Sequence, residues 1–474
     1  MKRIFTNSLV HGVALAALSA VDFAYAAEPP TSPPLLEAAY ADNTEAAKAL
    51  LAKGYEADAT NRYGVTPLAL ACQNGNAELV TALLSANADP DKAINSGDRP
   101  LMIAARTGKP ASVQSLIDAG AEVDATNRSG QTALTWAANE GHLEVVDLLL
   151  KAGAAPDLTL KSGLTPLMLA ARNGHISVTK SLLATGIDLA AATQVGQANG
   201  KAPPKGTTAL TLAVENAHFD LALALLEAGA DANDQRSGLA PLHRLIHVRK
   251  PNRGDGDDGL PPPLGSGKTT SLDFARILVE KYQADPNLQL RYGSAGGRKF
   301  GTRGATPFLL ACRTGDLAYL KVLADLGADP SITNGDGTTA LMAAAGVGSH
   351  APEEEAGSEA DALKTVEWLI ANQHDTAINA VNKYGETTMH GAAYRNRPKM
   401  VSLLVEHGAD IEVWNQKNKH GWTPLLIARG YRPGNFKPSV PTGDAIKAAM
   451  LAAGVEVPPH PPLPTTEKPK KYEQ

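Results

Sequence analysis

Four groups of residues in this chain have types and spacings that suggest chemistry. Gly265-Ser266-Gly267-Lys268-Thr269 has the ending of a phosphate-binding loop, where backbone N–H groups and a lysine would hold phosphate oxygens. That motif also needs a glycine five residues before Gly267, but Pro262 stands there, and no buried strand precedes it. Asp255, Asp257 and Asp258, in a Gly-Asp-Gly-Asp-Asp-Gly run, have the spacing of oxygen ligands for Ca²⁺. A full calcium loop needs a ligand at the next alternate position, where Gly259 sits, and a closing glutamate. The run therefore reads as a flexible solvated loop. His243 and His247 lie four apart, as two zinc ligands on one helix face would, but no third ligand is suggested nearby. Cys72 and Cys312 are the only cysteines. With no Gly-x-Ser-x-Gly elbow or other nucleophile–base pairing, neither an enzyme nor a cofactor or metal site is expected.

The elements that position these residues are set by a period. A Thr-Pro-Leu-like triplet recurs every thirty-three residues at Thr66-Pro67-Leu68, Arg99-Pro100-Leu101, Thr132-Ala133-Leu134 and Thr165-Pro166-Leu167. It continues at Thr208, Ala240, Thr306, Thr339, Thr387 and Thr423, with a degenerate first copy at Pro33-Pro34-Leu35. Within a copy, proline starts a helix where its missing N–H is no loss. Leu167 and Ala170-Ala171 then fall three and four apart on one apolar face, and Gly174 ends the helix. A second helix follows, with Val145, Val146, Leu148 and Leu149 as its stripe in the third full copy. It ends at glycines such as Gly120 and Gly153, or at Asn87 in one copy. Both cysteines fall six residues after the Thr column, where other copies carry Ala105, Ala138 and Ala171, so they are expected to be small core residues.

This period and triplet resemble the ankyrin repeat over roughly residues 33–457. The resemblance implies an all-α solenoid of helix-turn-helix units with β-hairpin fingers, about ten to eleven repeats including atypical caps. It also implies binding of another protein rather than catalysis, and makes His243 and His390, after the triplet, structural rings that tie turn to helix. Where the spacing exceeds thirty-three, insertions are expected near 190–205, 249–270, 288–303, 346–361 and 431–443. The last copy should close with a helix from Asp444 to Ala453, and 458–474, rich in proline and lysine, reads as a disordered tail.

Aligning the later copies on the Thr column exposes the fingertip, four residues earlier. Its occupants are Arg62, Asn95, Arg128, Lys161, Pro204, Arg236, Thr302, Gly335, Lys383 and Lys419. Six of the ten are basic in a chain of net charge −5, which marks the column as a candidate for steering toward an acidic protein surface. Asparagine precedes the tip in five copies (Asn61, Asn127, Asn334, Asn382 and Asn418), suiting an Asx-type turn. Tyr63 and Tyr384 beside the tips would add contact area. The first-helix ends Gln73, Asn74, Asn139, Glu140, Arg172 and Asn173 would complete a concave surface. A pI near 6.2 argues against general nucleic-acid affinity.

Lys2 and Arg3 precede an apolar stretch from about Leu9 to Val21, and Ala24-Tyr25-Ala26 is a small-x-small cleavage site. Residues 1–26 are therefore expected to be a signal peptide and 27–34 a linker. The stretch is too short for a membrane span, so no stable insertion is expected after cleavage. The resemblance to exported bacterial ankyrin proteins implies a periplasmic or secreted scaffold or adaptor. The same features fit an accessory factor protecting or regulating a co-exported enzyme, a host-directed effector, and a hydrolase or ligand-binding protein built on the 249–270 loop. Intact-mass measurement of the exported protein is expected to show Ala27 as its first residue; an unprocessed mass would contradict cleavage.

Overall fold

The computed structural model describes residues 33–194, 203–251, 261–294, 300–349, 356–374, 377–431 and 438–459. The proposed signal peptide, most of the linker, the Asp255–Asp258 run and the end of the tail lie outside the described residues. The chain divides into two compact units, one made of residues up to Arg249 with Pro262–Asp285, the other of Lys250–Pro261 with everything from Pro286 onward.

Among the described residues the first unit holds seven helix pairs. These are α1 (Pro34–Tyr40) with α2 (Thr44–Ala52), α3 (Pro67–Asn74) with α4 (Ala77–Ser85), α5 (Pro100–Thr107) with α6 (Pro110–Asp118), and α7 (Ala133–Glu140) with α8 (Leu143–Lys151). They continue as α9 (Pro166–Asn173) with α10 (Ile176–Leu183), α11 (Ala209–Glu215) with α12 (Phe219–Glu227), and α13 (Pro241–Arg249) with α14 (Ser271–Glu280). First helices pack on first helices and second on second, giving two parallel layers. The second unit repeats the plan with α15 (Pro307–Thr314) and α16 (Leu317–Asp325), α17 (Ala340–Ala345) and α18 (Glu359–Ala371), and α19 (Thr388–Tyr394) and α20 (Pro398–Glu406). A single turn, α21 (Ile411–Trp414), then precedes α22 (Pro424–Ala428) and α23 (Val440–Ala452).

Burial explains the composition. Within the first unit first helices lie between neighbouring first helices, so Pro67 through Cys72 are all buried; in the second unit Pro307 through Cys312 are buried as well. The column Ala71, Ala104, Ala137 and Ala170 has no exposed surface, because small side chains let adjacent first helices approach. Both cysteines are buried and not joined in a disulfide, and desolvation pushes the Cys72 thiol far up, so it stays protonated at neutral pH. Second helices bury only a stripe, such as Val145, Val146 and Leu149. Threonine caps recur: Thr66 Oγ1 accepts from Ala69 N–H at 3.0 Å, and Thr165 from Met168 N–H at 3.2 Å. At Gly108 the backbone turns left-handed (φ 69°), and a Cβ there would lie 2.4 Å from the His142 ring. Asn87 takes the same conformation with φ 61°.

His390 lies fully buried, and its Nδ1 accepts the Thr387 N–H at 3.2 Å, tying the finger to α19. Burial pushes its pKa down to about 4, keeping the ring neutral. Two elements differ from expectation. The closing helix begins at Val440 rather than Asp444, because Ser439 caps Thr442 N–H and Pro441 is tolerated in a first turn. The turn α21 forms inside the last finger, where Asp410 caps Glu412 N–H and buries Trp414.

Among the described residues no strand forms, so the fingers are tight turns rather than full β-hairpins. Each tip asparagine accepts two backbone N–H groups, two and four residues ahead. Asn61 takes those of Tyr63 and Val65 at 3.0 and 3.1 Å, and Asn382 those of Tyr384 and Glu386 at 2.9 and 3.0 Å. Asn127, Asn334 and Asn418 do the same. Asn382 is buried, so Asn382→Ala would leave two N–H groups without an acceptor. We expect a loss of about 2 kcal/mol, read as a lower urea midpoint for the second unit's transition, with a smaller loss for Asn382→Asp, which keeps the acceptor.

Candidate functional site

The fingers stand side by side within each unit because one backbone hydrogen bond joins tip to tip. In the first unit Asn95 N–H donates to Tyr63 O at 3.0 Å and Lys161 N–H to Ser129 O at 3.1 Å. In the second, Gly335 N–H donates to Arg303 O and Lys419 N–H to Tyr384 O, each at 2.8 Å. This fixes the spacing of the side chains between them.

The six basic tips are all exposed, but they are not equivalent. Arg128 and Lys161 project from adjacent fingers of the first unit. Arg62 folds onto its neighbour, donating to Tyr63 Oη at 2.7 Å with its guanidinium 4.7 Å from the ring centre. Arg236 is clamped by both oxygens of Asp234 at 2.9 Å and donates to Ala190 O at 3.0 Å. That pair raises the Arg236 pKa and largely cancels its charge. In the second unit Lys383 sits 2.9 Å from the buried Asp336 and donates to Gly335 O at 2.7 Å. Tyr384 lies between Lys383 and Lys419, whose ammonium is 3.7 Å from the ring centre. Lys383, Tyr384 and Lys419 thus form one cation–aromatic cluster, and the tyrosine hydroxyl donates to Asp336 at 3.2 Å. The partnering acids Asp234 and Asp336 were not singled out in the sequence, since a lone aspartate in a polar finger gives no periodic signal.

The first-helix ends are linked across repeats. Arg172 donates to Asn139 Oδ1 at 2.9 Å and Asn173 to Asn139 O at 2.7 Å, while Asn74 donates to Ala39 O at 3.0 Å. Burial lowers the Arg172 pKa. Asn139 donates to Glu140, leaving these side chains ordered.

The Gly265–Thr269 segment is a strap between α13 and α14 that docks on the start of α12. Lys268 and Thr269 N–H donate to the Asp220 carboxylate at 2.9 and 3.1 Å, and Ser266 N–H donates to His218 Nδ1 at 3.1 Å. The amides a phosphate would need are therefore taken up by a carboxylate, which the Thr269 hydroxyl and these amides hold below its usual range. Gly265 is required by contact, since a Cβ would lie 1.9 Å from Ala217 O. His243 is buried in α13. Among the described residues, no cluster of three or more metal-ligating side chains occurs, and no helix is long and apolar enough to cross a membrane.

Two layers of short helices with register-locked fingers define a repeat-built binding scaffold. The family described as Ankyrin repeats (3 copies) matches residues 35–127, 101–193, 152–236 and 355–435, together more than half of the chain. The chain belongs to the ankyrin repeat family. It is similar to the probable 26S proteasome regulatory subunit p28 of Saccharomyces cerevisiae, 36% identical over 128 residues, covering 26% of this chain and 48% of that one. It is also similar to ankyrin repeat protein 14 of Vaccinia virus, 39% identical over 51 residues, covering 11% of this chain and 20% of that one. The chain thus spans about half the length of the first relative and a fifth of the second.

His218 supplies a pH dependence. Its Nε2 faces Arg172 O at 3.2 Å and its Nδ1 accepts from Ser266, so the docked ring is neutral. Burial lowers its pKa, helped by the nearby His175; Asp220 and Lys268 are the other charged groups at the strap. A lowered folded pKa means the strap's stabilisation is full above the ordinary histidine value of about 6.5. It declines as pH falls from there toward the lowered value. Hydrogen exchange, corrected for intrinsic rates, is expected to show Ser266, Lys268 and Thr269 amides less protected at pH 5 than at pH 7.5, and His218→Gln to abolish that difference.

Proposed function

We propose that this protein is an exported ankyrin scaffold or adaptor that captures another protein on the surface formed by its fingertips and first-helix ends. Ankyrin repeats generally mediate protein–protein interaction, which supplies the class of function. The observation that carries the reading is the register-locked fingers within each unit, which bear exposed cations in a chain that is acidic overall. Pre-ordered tips lose little conformational entropy on association, and unpaired cations accelerate encounter with an acidic partner. Arg128, Lys161 and Lys419 should steer most, since Arg236 and Lys383 are already paired with aspartates. Export, to the periplasm or beyond the cell, is supported by Lys2, Arg3, the apolar stretch and Ala24-Tyr25-Ala26.

The test is to reverse Arg62, Arg128, Lys161, Arg236, Lys383 and Lys419 to glutamate and capture partners from periplasmic extract. Association at low salt is expected to slow by roughly ten-fold or more, with the salt dependence flattened. Reversing only Arg236 and Lys383 should have the smaller effect. An unchanged partner with unchanged salt sensitivity would refute the reading.

A further inference from the structure

The finger leading into α15 carries the 288–303 insertion, and its end crosses from the fingertips to the ends of the first helices. Phe300 N–H donates to Gly348 O at 2.8 Å, in the turn that follows α17. The Phe300 ring lies against the guanidinium of Arg313, near the end of α15, with the ring centre 4.4 Å from the guanidinium carbon. On the finger side, Gly301 O accepts from Asn334 Nδ2 at 2.7 Å. A small cavity beside the ring is lined by Asp336, Thr338, Val347, Tyr384 and Glu386. Phe300 is only 5% exposed, although it belongs to no repeat column.

The walls and the occupant have separate origins. Arg313 and Val347 belong to first-helix ends, and Asp336 and Tyr384 to fingers, each held by the stacking of its own repeat. The insertion contributes the ring, one backbone donor (Phe300 N–H) and one backbone acceptor (Gly301 O). A buried aromatic anchor, a cation–π contact and a main-chain hydrogen bond are the means by which a partner's anchor residue is held in a groove.

We propose that Phe300 is an intramolecular ligand, and that the seat it fills in the second unit is a pocket for an aromatic side chain of an extended partner segment, which binds by displacing it. The free protein therefore keeps this part of its groove closed, and a partner must compete with residues 300–303. This rests on the reading of the fingertip and first-helix surface as the partner surface, but its test needs no partner.

The full-length protein and its Phe300→Ala variant are titrated with N-acetyl-phenylalaninamide, with N-acetyl-leucinamide as the control, and circular dichroism reports the fold. Cavities left by removing a buried side chain can bind aromatic fragments. The phenylalanine probe is expected to bind the variant at least ten-fold tighter than the unaltered protein and tighter than the leucine probe, and to raise the variant's Tm. Equal affinity for both proteins, or no binding to the variant, overturns the pocket and leaves the partner-surface reading to its own charge-reversal test. Loss of the second unit's fold in Phe300→Ala also overturns it, because Phe300 would then be structural core and not a displaceable ligand.

Discussion

The structure depends on a hydrogen bond between neighbours that recurs at the base of six fingers. Asp58 accepts the N–H of Asp89, Asp91 that of Glu122, and Asp124 that of Ala155, thirty-one residues apart each time. Asn233 with Asp285, Asn287 with Asp329, and Asn379 with Asp410 continue the device. A short side chain fixed to the backbone has little reach, so each bond sets the distance between consecutive repeats. Helix packing then follows, since the alanine column tolerates only that separation. No repeat meets these needs alone, and stability is therefore a sum over adjacent pairs.

That constraint also shapes the surface. Tips held at fixed spacing cannot rearrange to meet a partner, so their charge state in the free protein is the one a partner encounters. Two of the six cations are neutralised by an aspartate of a finger, and a third is folded onto a tyrosine. The surface is a graded one, strongest where Arg128 and Lys161 stand on adjacent fingers. The strap follows the same economy: a glycine-rich turn with the composition of a phosphate cradle has its amides filled from within by Asp220.

Much of this was legible in the residues. The triplet located the start of nearly every first helix, since the threonine cap and the proline at the next position report local geometry. The tip asparagines announced their turns for the same reason, their bonds reaching only four residues. What escaped was nonlocal. Nothing in the sequence pairs Phe300 with Gly348, or Lys383 with Asp336 of the preceding finger. The shift of the last helix to Val440 was missed because Val440-Pro441 after Ser439 reads equally as loop or as first turn. The fingers came out shorter than β-hairpins because one bond per neighbour is too few to propagate a ladder.

The pinning of the tip asparagines bears on how the protein ages. Asn334 precedes Gly335, the pairing at which asparagine most readily cyclises through attack of the following nitrogen on its side-chain carbonyl. Its Oδ1 is held by Asp336 and Thr338 and its Nδ2 by Gly301, so the carbonyl cannot swing onto that nitrogen. Asn74-Gly75 and Asn173-Gly174, at exposed first-helix ends, are held more loosely, their Nδ2 groups donating to Ala39 O and Asn139 O of the neighbouring repeat. Deamidation should therefore begin on the helical side of the surface and add negative charge there, while the fingertips keep their original chemistry.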